Sequence, residues 1–293
     1  MMKNILLTIE YDGTDFCGWQ KQPHQRSVQG EIEDVLSILC SQPIKINGTS
    51  RTDAGVHALG QRANFKGDFQ IPVDRIQKAA NNLLSARRAN HRRATLGAVG
   101  DIQITEVRQV PLDFHARFDA VGKKYIYLID CAPEKNIFRR NYAYQFSKDL
   151  DIEGMNAAAK AMVGRHDFKC FQAAGGKELE TTVREIYSLK LIEENPQESC
   201  LQALAKQASP KEAASKRIRL EIIGDGFLYN MVRIITGTLL DVGIGKMRAD
   251  AIPEIILSRD RQRAGHTAPP QGLYLAEVYF DIERMKQARH ESY

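Results

Sequence analysis

The run Gly48-Thr49-Ser50-Arg51-Thr52-Asp53-Ala54-Gly55-Val56-His57-Ala58 is polar, bounded by glycines and set between two predicted strands. Such a loop can expose a carboxylate, here Asp53, at a sheet edge with an arginine and a histidine beside it. Composition alone allows a simpler use, a turn in which Asp53 caps backbone amides. A second concentration of charge lies in Ser85-Ala86-Arg87-Arg88-Ala89-Asn90-His91-Arg92-Arg93, with no acid between Asp74 and Asp101. Its arginines suit either a solvated surface loop or contacts to a polyanion. The seven histidines are scattered without the ligand spacing of a metal site.

The elements that must hold these residues can be read from periodicity. Ile5, Leu7 and Ile9 alternate up to the turn Tyr11-Asp12-Gly13, which predicts a strand. From Val28, the spacing of Ile32, Val35, Leu36 and Leu39 predicts an amphipathic helix. Ile44-Lys45-Ile46 and Gln61 to Phe65 read as strands on either side of the Asp53 segment. Pro72 then opens a helix carrying Ile76, Ala80, Leu83 and Leu84. In the second half, Lys124 to Ile129, Val183 to Ile192, Arg217 to Ile223 and Leu273 to Phe280 read as strands. Ile152 to Met162 and Leu228 to Leu240 read as helices. Strands mixed with helices, without strict βαβ alternation, predict an α+β architecture with a mixed or antiparallel sheet. The predicted organisation is one α+β half over 1–110 and a second over 111–293. A mobile insertion is expected at 193–217, which has two prolines and no aromatic residue.

Composition bounds the class. Lys plus Arg is 41 against 36 for Asp plus Glu in 293 residues, a net charge of +5. That balance is compatible with a polyanionic partner and does not require one. Five widely spaced cysteines without a C-x-x-C pair argue against a disulfide framework and for a reducing compartment. Glu10 and Asp12 interrupt the apolar start before a signal core forms, and no stretch approaches a membrane span. A cytoplasmic protein without membrane contact is expected.

Six further blocks change the weight of the Asp53 segment. Arg51-Thr52-Asp53-Ala54-Gly55-Val56-His57-Ala58 resembles the R-T-D-A-G-V-H-A hallmark of the TruA family of tRNA pseudouridine synthases. Tyr11-Asp12-Gly13-Thr14-Asp15-Phe16-Cys17-Gly18-Trp19-Gln20 is similar to that family's Y-D-G-T-x-F-x-G-W-Q. Phe114-His115-Ala116-Arg117-Phe118 with Lys124-Tyr125-Ile126-Tyr127 resembles its F-H-A-R-F block and the lysine-tyrosine block that follows it. Gly164-Arg165-His166-Asp167-Phe168 follows, then Gly226-Phe227-Leu228-Tyr229-Asn230-Met231-Val232-Arg233 and Ala268-Pro269-Pro270-Gln271-Gly272-Leu273-Tyr274-Leu275, all in family order. Thr49-Ser50 departs from the small residue and glycine that usually precede the arginine. The arginine cluster at 87–93 and the stretch 193–217 look like insertions.

The resemblance implies two ferredoxin-like or RRM-like halves whose sheets join around a central cleft. It implies a homodimer acting on tRNA without metal or organic cofactor, at uridines on the 3′ side of the anticodon stem and loop (tRNA positions 38–40). Isomerising uridine means breaking N1–C1′, rotating the uracil and joining C5 to C1′, which needs a carboxylate at the ribose. Asp53 matches that residue, as attacking group at C1′ or as base at C2′. Asp12, Asp15 and Asp167 have weaker claims. Arg233 matches the arginine paired with the aspartate, Tyr125 the active-site tyrosine and Arg51 the arginine that opens the stack. Leu273 is expected on the apolar wall; Arg87, Arg88, Arg92 and Arg93 are candidate RNA contacts. Tyr127 better fits a core strand tyrosine. The competing readings are an RNA-binding protein that has lost activity and a nucleoside glycosidase, which would release free uracil.

Overall fold

A computed structural model describes residues 1–91, 100–175, 180–194 and 216–290; of 88–91 and 290 only the backbone is described. The chain forms two compact units, Met1–Val121 with Tyr274–Arg284, and Gly122–Leu273 with Met285–Tyr293. A sequence boundary near residue 110 carries no sign of the return of 274–284 to the first unit. Each unit sets helices against a sheet, an α+β arrangement. Among the described residues no helix is long and apolar enough to cross a membrane.

In the first unit β1 (Lys3–Tyr11), β2 (Asn47–Gly48), β3 (His57–Gly67) and β4 (Ile102–Val110) are joined by β10 (Leu273–Tyr279). The order is β4-β1-β3-β10, with β2 also on β3. β1 runs antiparallel to β3 and β4, with Ile5 opposite Phe65 and Leu7 opposite Ala63 and Val107. β10 runs parallel to β3, pairing Tyr274 with His57 and Leu275 with Ala58. Ile5, Leu7 and Ile9 are fully buried, as their alternation requires. Asn4 and Leu6 on the other face are buried too: Asn4 and Asn64 grip the 111–116 segment, Asn4 Nδ2 donating to the carbonyls of Pro111 (2.8 Å) and Phe114 (2.9 Å).

Helix α1 (Val28–Cys40) starts at Ser27, whose hydroxyl accepts from the Gly30 N–H. It buries Val28, Ile32, Val35 and Leu36. Helix α2 (Val73–His91) packs along α1 and β4. Two local expectations are corrected here. Residues 44–46 form no strand, because α1 side chains take their amides: Ile44 N–H donates to Ser37 Oγ (2.9 Å) and Ile46 N–H to Glu33 Oε1 (3.2 Å). Residues 85–91, read as a basic loop, continue α2. Ala, Leu and Arg are strong helix formers, and no glycine or proline interrupts them.

In the second unit β5 (Gly122–Cys131), β7 (Gly164–Asp167), β8 (Val183–Glu194) and β9 (Lys216–Gly224) form an antiparallel run in the order β5-β9-β8-β7. β6 (Tyr144–Phe146) pairs in parallel with β5. Helices α3 (Ile152–Lys160) and α4 (Met231–Gly243) pack on each other, α3 also against β8, and α5 (Ile252–Ser258) and α6 (Ile282–His290) complete the set. Strands β4, β6 and β7 and helices α5 and α6 are not among the elements predicted from the sequence; β6, β7 and α5 span only three, four and seven residues. α4 begins three residues later than expected, because Asn230 adopts the left-handed conformation (φ 58°) at its start. The insertion expected at 193–217 is shorter at both ends, since 193–194 complete β8 and 216–217 begin β9; residues 195–215 are outside the described residues.

Candidate active site

Asp53 sits in the connection between β2 and β3, and the rest of that connection is fixed from several sides. Thr49 N–H donates to the Arg62 carbonyl (2.8 Å) and Thr49 Oγ1 to the Ala116 carbonyl (2.8 Å). The fully buried Gln61 brackets Ser50, accepting from its N–H (3.3 Å) and donating to its carbonyl (2.7 Å). Trp19 N–H donates to the Thr52 carbonyl (3.0 Å), and Tyr11 and Thr52 share a hydroxyl hydrogen bond of 2.8 Å. Beyond Asp53, Val56 N–H returns to the Asp53 carbonyl (3.2 Å) to close a turn. The His57 ring stacks on Tyr274 (4.7 Å), and its Nδ1 accepts from the Gly13 N–H (3.0 Å).

The 11–20 motif is therefore the clamp of the 48–58 motif, which explains why both stand together in the sequence. Gly18 shows the tightness: at φ +108° a Cβ there would lie 2.6 Å from the Thr52 carbonyl oxygen. Within this clamp Asp53 is half-buried and Arg51 exposed. Thr49 and Ser50, the two departures in the loop entry, both find hydrogen-bond partners. Of the weaker acidic candidates, Asp12 accepts from the N–H of Thr14 (3.0 Å). Asp167 is held by Lys169 N–H (3.1 Å), the Thr182 hydroxyl and Arg259 (2.9 Å). These are capping and bridging roles. Asp15 is partly exposed.

Tyr125, Arg233 and Leu273 belong to the second unit. Tyr125 on β5 is 6% exposed and meets Phe227 edge to face at 5.2 Å. Tyr127, on the same face of β5, is fully buried and its hydroxyl donates to the Pro269 carbonyl (2.7 Å). Burial pushes that phenol well above its ordinary range, the Arg233 charge acting in the opposite direction. Gly272 approaches the Tyr127 ring so closely that a Cβ would lie 2.7 Å from it. Tyr127 thus holds the 268–273 segment from which the buried Leu273 enters β10.

Helix α4 is buried along its whole length except at Arg233, so it has no polar face on which that arginine would be merely solvated. Arg233 Nε donates to the Ala268 carbonyl (2.7 Å), one terminal NH donates to Asn230 Oδ1 (2.6 Å), and the Arg233 carbonyl accepts from the Ala268 N–H (3.0 Å). These two acceptors orient the guanidinium. A cation in a first helical turn also opposes the macrodipole, an arrangement that suits an anion nearby. Sequence reasoning missed Asn230 and the hydroxyl of Tyr127 as supports, although both stand inside matched motifs.

The arginine cluster divides. Arg87 is drawn onto α1, with Nε 2.7 Å from Glu31 and a terminal NH 3.0 Å from Asp34. The Arg88 side chain and Arg92 and Arg93 lie outside the described residues. The four cysteines among the described residues are all free.

The family described as tRNA pseudouridine synthase matches residues 7–119 and 158–281. The tRNA pseudouridine synthase A of Acetivibrio thermocellus is 45% identical over 279 residues, 95% of this chain and 100% of that protein. Those of Caldicellulosiruptor bescii and Ruminiclostridium cellulolyticum are each 43% identical with the same coverage. Matches of that length take in the clamp, the Asp53 loop, β5 and the start of α4 alike, and on them this chain belongs to the tRNA pseudouridine synthase family, as an isomerase that converts uridine to pseudouridine in tRNA.

Proposed function

We propose that Asp53 is the group that acts at the ribose of a uridine on the 3′ side of the anticodon stem and loop. The observation that carries the reading is the contrast within one loop. The backbone around Asp53 is fixed by buried hydrogen bonds from Tyr11, Trp19 and Gln61, while Asp53 itself stays half-buried beside an exposed arginine. Holding a carboxylate so firmly at an accessible position is what positional catalysis requires.

The target nucleotide leaves its stack at a cost of roughly a few kcal/mol, and Arg51 takes its place or holds the adjoining phosphate. Asp53 acts as attacking group at C1′ or as base at C2′ while the N1–C1′ bond breaks. The uracil stays bound, turns on the Tyr125 ring against the apolar wall that includes Leu273, and joins C5 to C1′. The Tyr125 phenol oxygen then takes the C5 proton as it passes its own proton on, and N1 gains one, so the product has the mass of the substrate. Arg233 pairs with the Asp53 carboxylate and keeps it ionised in a base-sized pocket. The enzyme works as a cytoplasmic homodimer without metal or organic cofactor.

Incubating the protein with unmodified tRNA transcripts and mapping pseudouridine by carbodiimide-dependent reverse-transcription stops tests the reading. Stops on the 3′ side of the anticodon arm, absent with Asp53→Asn while tRNA affinity stays within a few-fold, are expected. Near-normal turnover of a folded Asp53→Asn protein, or release of free uracil, refutes it.

A further inference from the structure

The motif Phe114-His115-Ala116-Arg117-Phe118 has no part in the chemistry above, yet it is built with care. Phe118 is 74% exposed, and leaving a phenylalanine ring in water forgoes the stabilisation that burial gives. The ring does not hang from a frayed loop. Ala116 at the centre of the segment is fully buried, its N–H donating to Asn64 Oδ1 (3.0 Å) and its carbonyl accepting from Thr49 Oγ1 (2.8 Å). The turn closes on His115, whose carbonyl accepts from the N–H groups of Phe118 (3.1 Å) and Asp119 (3.0 Å). His115 N–H donates to Asp119 Oδ2 (2.9 Å), and His115 Nδ1 accepts from the Arg117 N–H (3.1 Å).

The side chains of His115, Arg117 and Phe118 form one group. The His115 ring lies 4.3 Å from that of Phe118, tilted by 36°, and the Arg117 guanidinium is 5.9 Å from the Phe118 centroid. Among the described residues that guanidinium makes no hydrogen bond or ion pair. Through Thr49, the same turn is tied to the start of the loop that carries Asp53, so ring and carboxylate are held in one framework within the first unit.

We propose that Phe118, with His115 and Arg117, is a stacking site for an unpaired base of the tRNA substrate. Arg117 would meet the adjoining phosphate. An aromatic face accepts any base, and arginine supplies a charge-assisted hydrogen bond to phosphate. Asp113 and Asp119 lie in the same turn, so the site offers little net positive field and acts at short range, by stacking plus one phosphate contact. A subunit interface suits the group less well. Interface cores are depleted in charge, whereas here one ring and the exposed Leu112 stand among an arginine and two aspartates. The inference rests on the tRNA reading above, and the experiment separates the two.

The full-length protein and its Phe118→Leu, Phe118→Tyr and Arg117→Gln variants are titrated with an unmodified tRNA transcript over a range of salt. Their molar masses are followed by light scattering, and saturating single-turnover rates are measured. Phe118→Leu, which keeps an apolar side chain but no ring, is expected to weaken binding by roughly 5- to 100-fold. Its molar mass and saturating rate should match wild type, and Phe118→Tyr should restore affinity. Arg117→Gln should reduce the slope of log K against log salt by about 0.7, the contribution of one single-stranded phosphate. Wild-type affinity in a folded Phe118→Leu protein overturns the stacking site alone. So does a Phe118→Tyr variant as weak as Phe118→Leu, or a changed molar mass, which would assign the ring to contact with a second copy. A wild-type protein that neither binds nor modifies tRNA overturns both readings.

Discussion

If the Arg233 guanidinium must be oriented toward an anion, its support by Asn230 is testable in isolation. Asn230 contributes two separable things, a left-handed backbone (φ 58°) and an amide oxygen 2.6 Å from a terminal NH of Arg233. Asn230→Gly removes the acceptor while keeping the conformation accessible, and Asn230→Ala removes both. A hydrogen bond to a charged group is worth about 1.5–3 kcal/mol net. At 1.36 kcal/mol per decade, losing it from an arrangement used in the chemical step lowers kcat by roughly ten- to a hundredfold. Alanine in the left-handed region costs about a further 1–2 kcal/mol of stability, which glycine avoids. Asn230→Gly is therefore expected to lose kcat at nearly unchanged KM for tRNA, and Asn230→Ala to match it in kcat while melting at lower temperature. Single-turnover kinetics at saturating tRNA with thermal unfolding supply both numbers. Wild-type kcat in Asn230→Gly, or a loss appearing wholly in KM, would refute the argument that Asn230 acts by orienting Arg233.

Tyr125→Phe keeps the ring but not the hydroxyl, and general acid–base assistance is typically worth roughly 10²–10⁴-fold. Tritium release from [5-³H]uridine-labelled tRNA should slow by about that factor, Tyr125→Leu should be no better, and a wild-type rate for the phenylalanine variant would leave only stacking. Arg87→Gln breaks two contacts to α1, one of them with the buried Glu31. It should cost about 1 kcal/mol of stability by urea unfolding and leave the salt slope of tRNA binding unchanged, whereas a flattened slope would return Arg87 to the RNA contacts. Burial pushes the thiol of Cys170 up to about 12 and that of Cys131 to about 11, from an ordinary value of 9.0. Because the folded values are raised, stability from these thiols is intact below about pH 9 and lost as pH climbs toward them. The urea midpoint should hold from neutrality to that point and then fall, with neither thiol alkylated in the native protein at pH 8; a midpoint level to pH 11 would contradict this.

The residues proposed for the chemistry stand in motifs of the chain itself. Asp53 and Arg51 stand in an unbroken eight-residue match, and Arg233 and Tyr125 in shorter ones. The buried stripe of α1 and the alternation of β1 follow from near-neighbour spacing, which a helix or strand period converts directly into a face. Other features depend on groups far apart in sequence. Residues 44–46 have the composition of a strand, yet their amides are taken by Ser37 and Glu33 across a turn of the fold. The spacing around Arg233 suits an amphipathic helix, yet every other residue of α4 is buried. Arg87 reads as a free cation until α1 brings Glu31 and Asp34 beside it. The sequence determined the principal elements, among them β1, α1, β5 and α4, and which residue types the reaction has at hand, because those depend on short-range periodicity and side-chain chemistry. Only the tertiary structure decided which carbonyls and carboxylates face each side chain, since contacts such as Thr49 to Ala116 join residues 67 apart and exist only once the chain has packed.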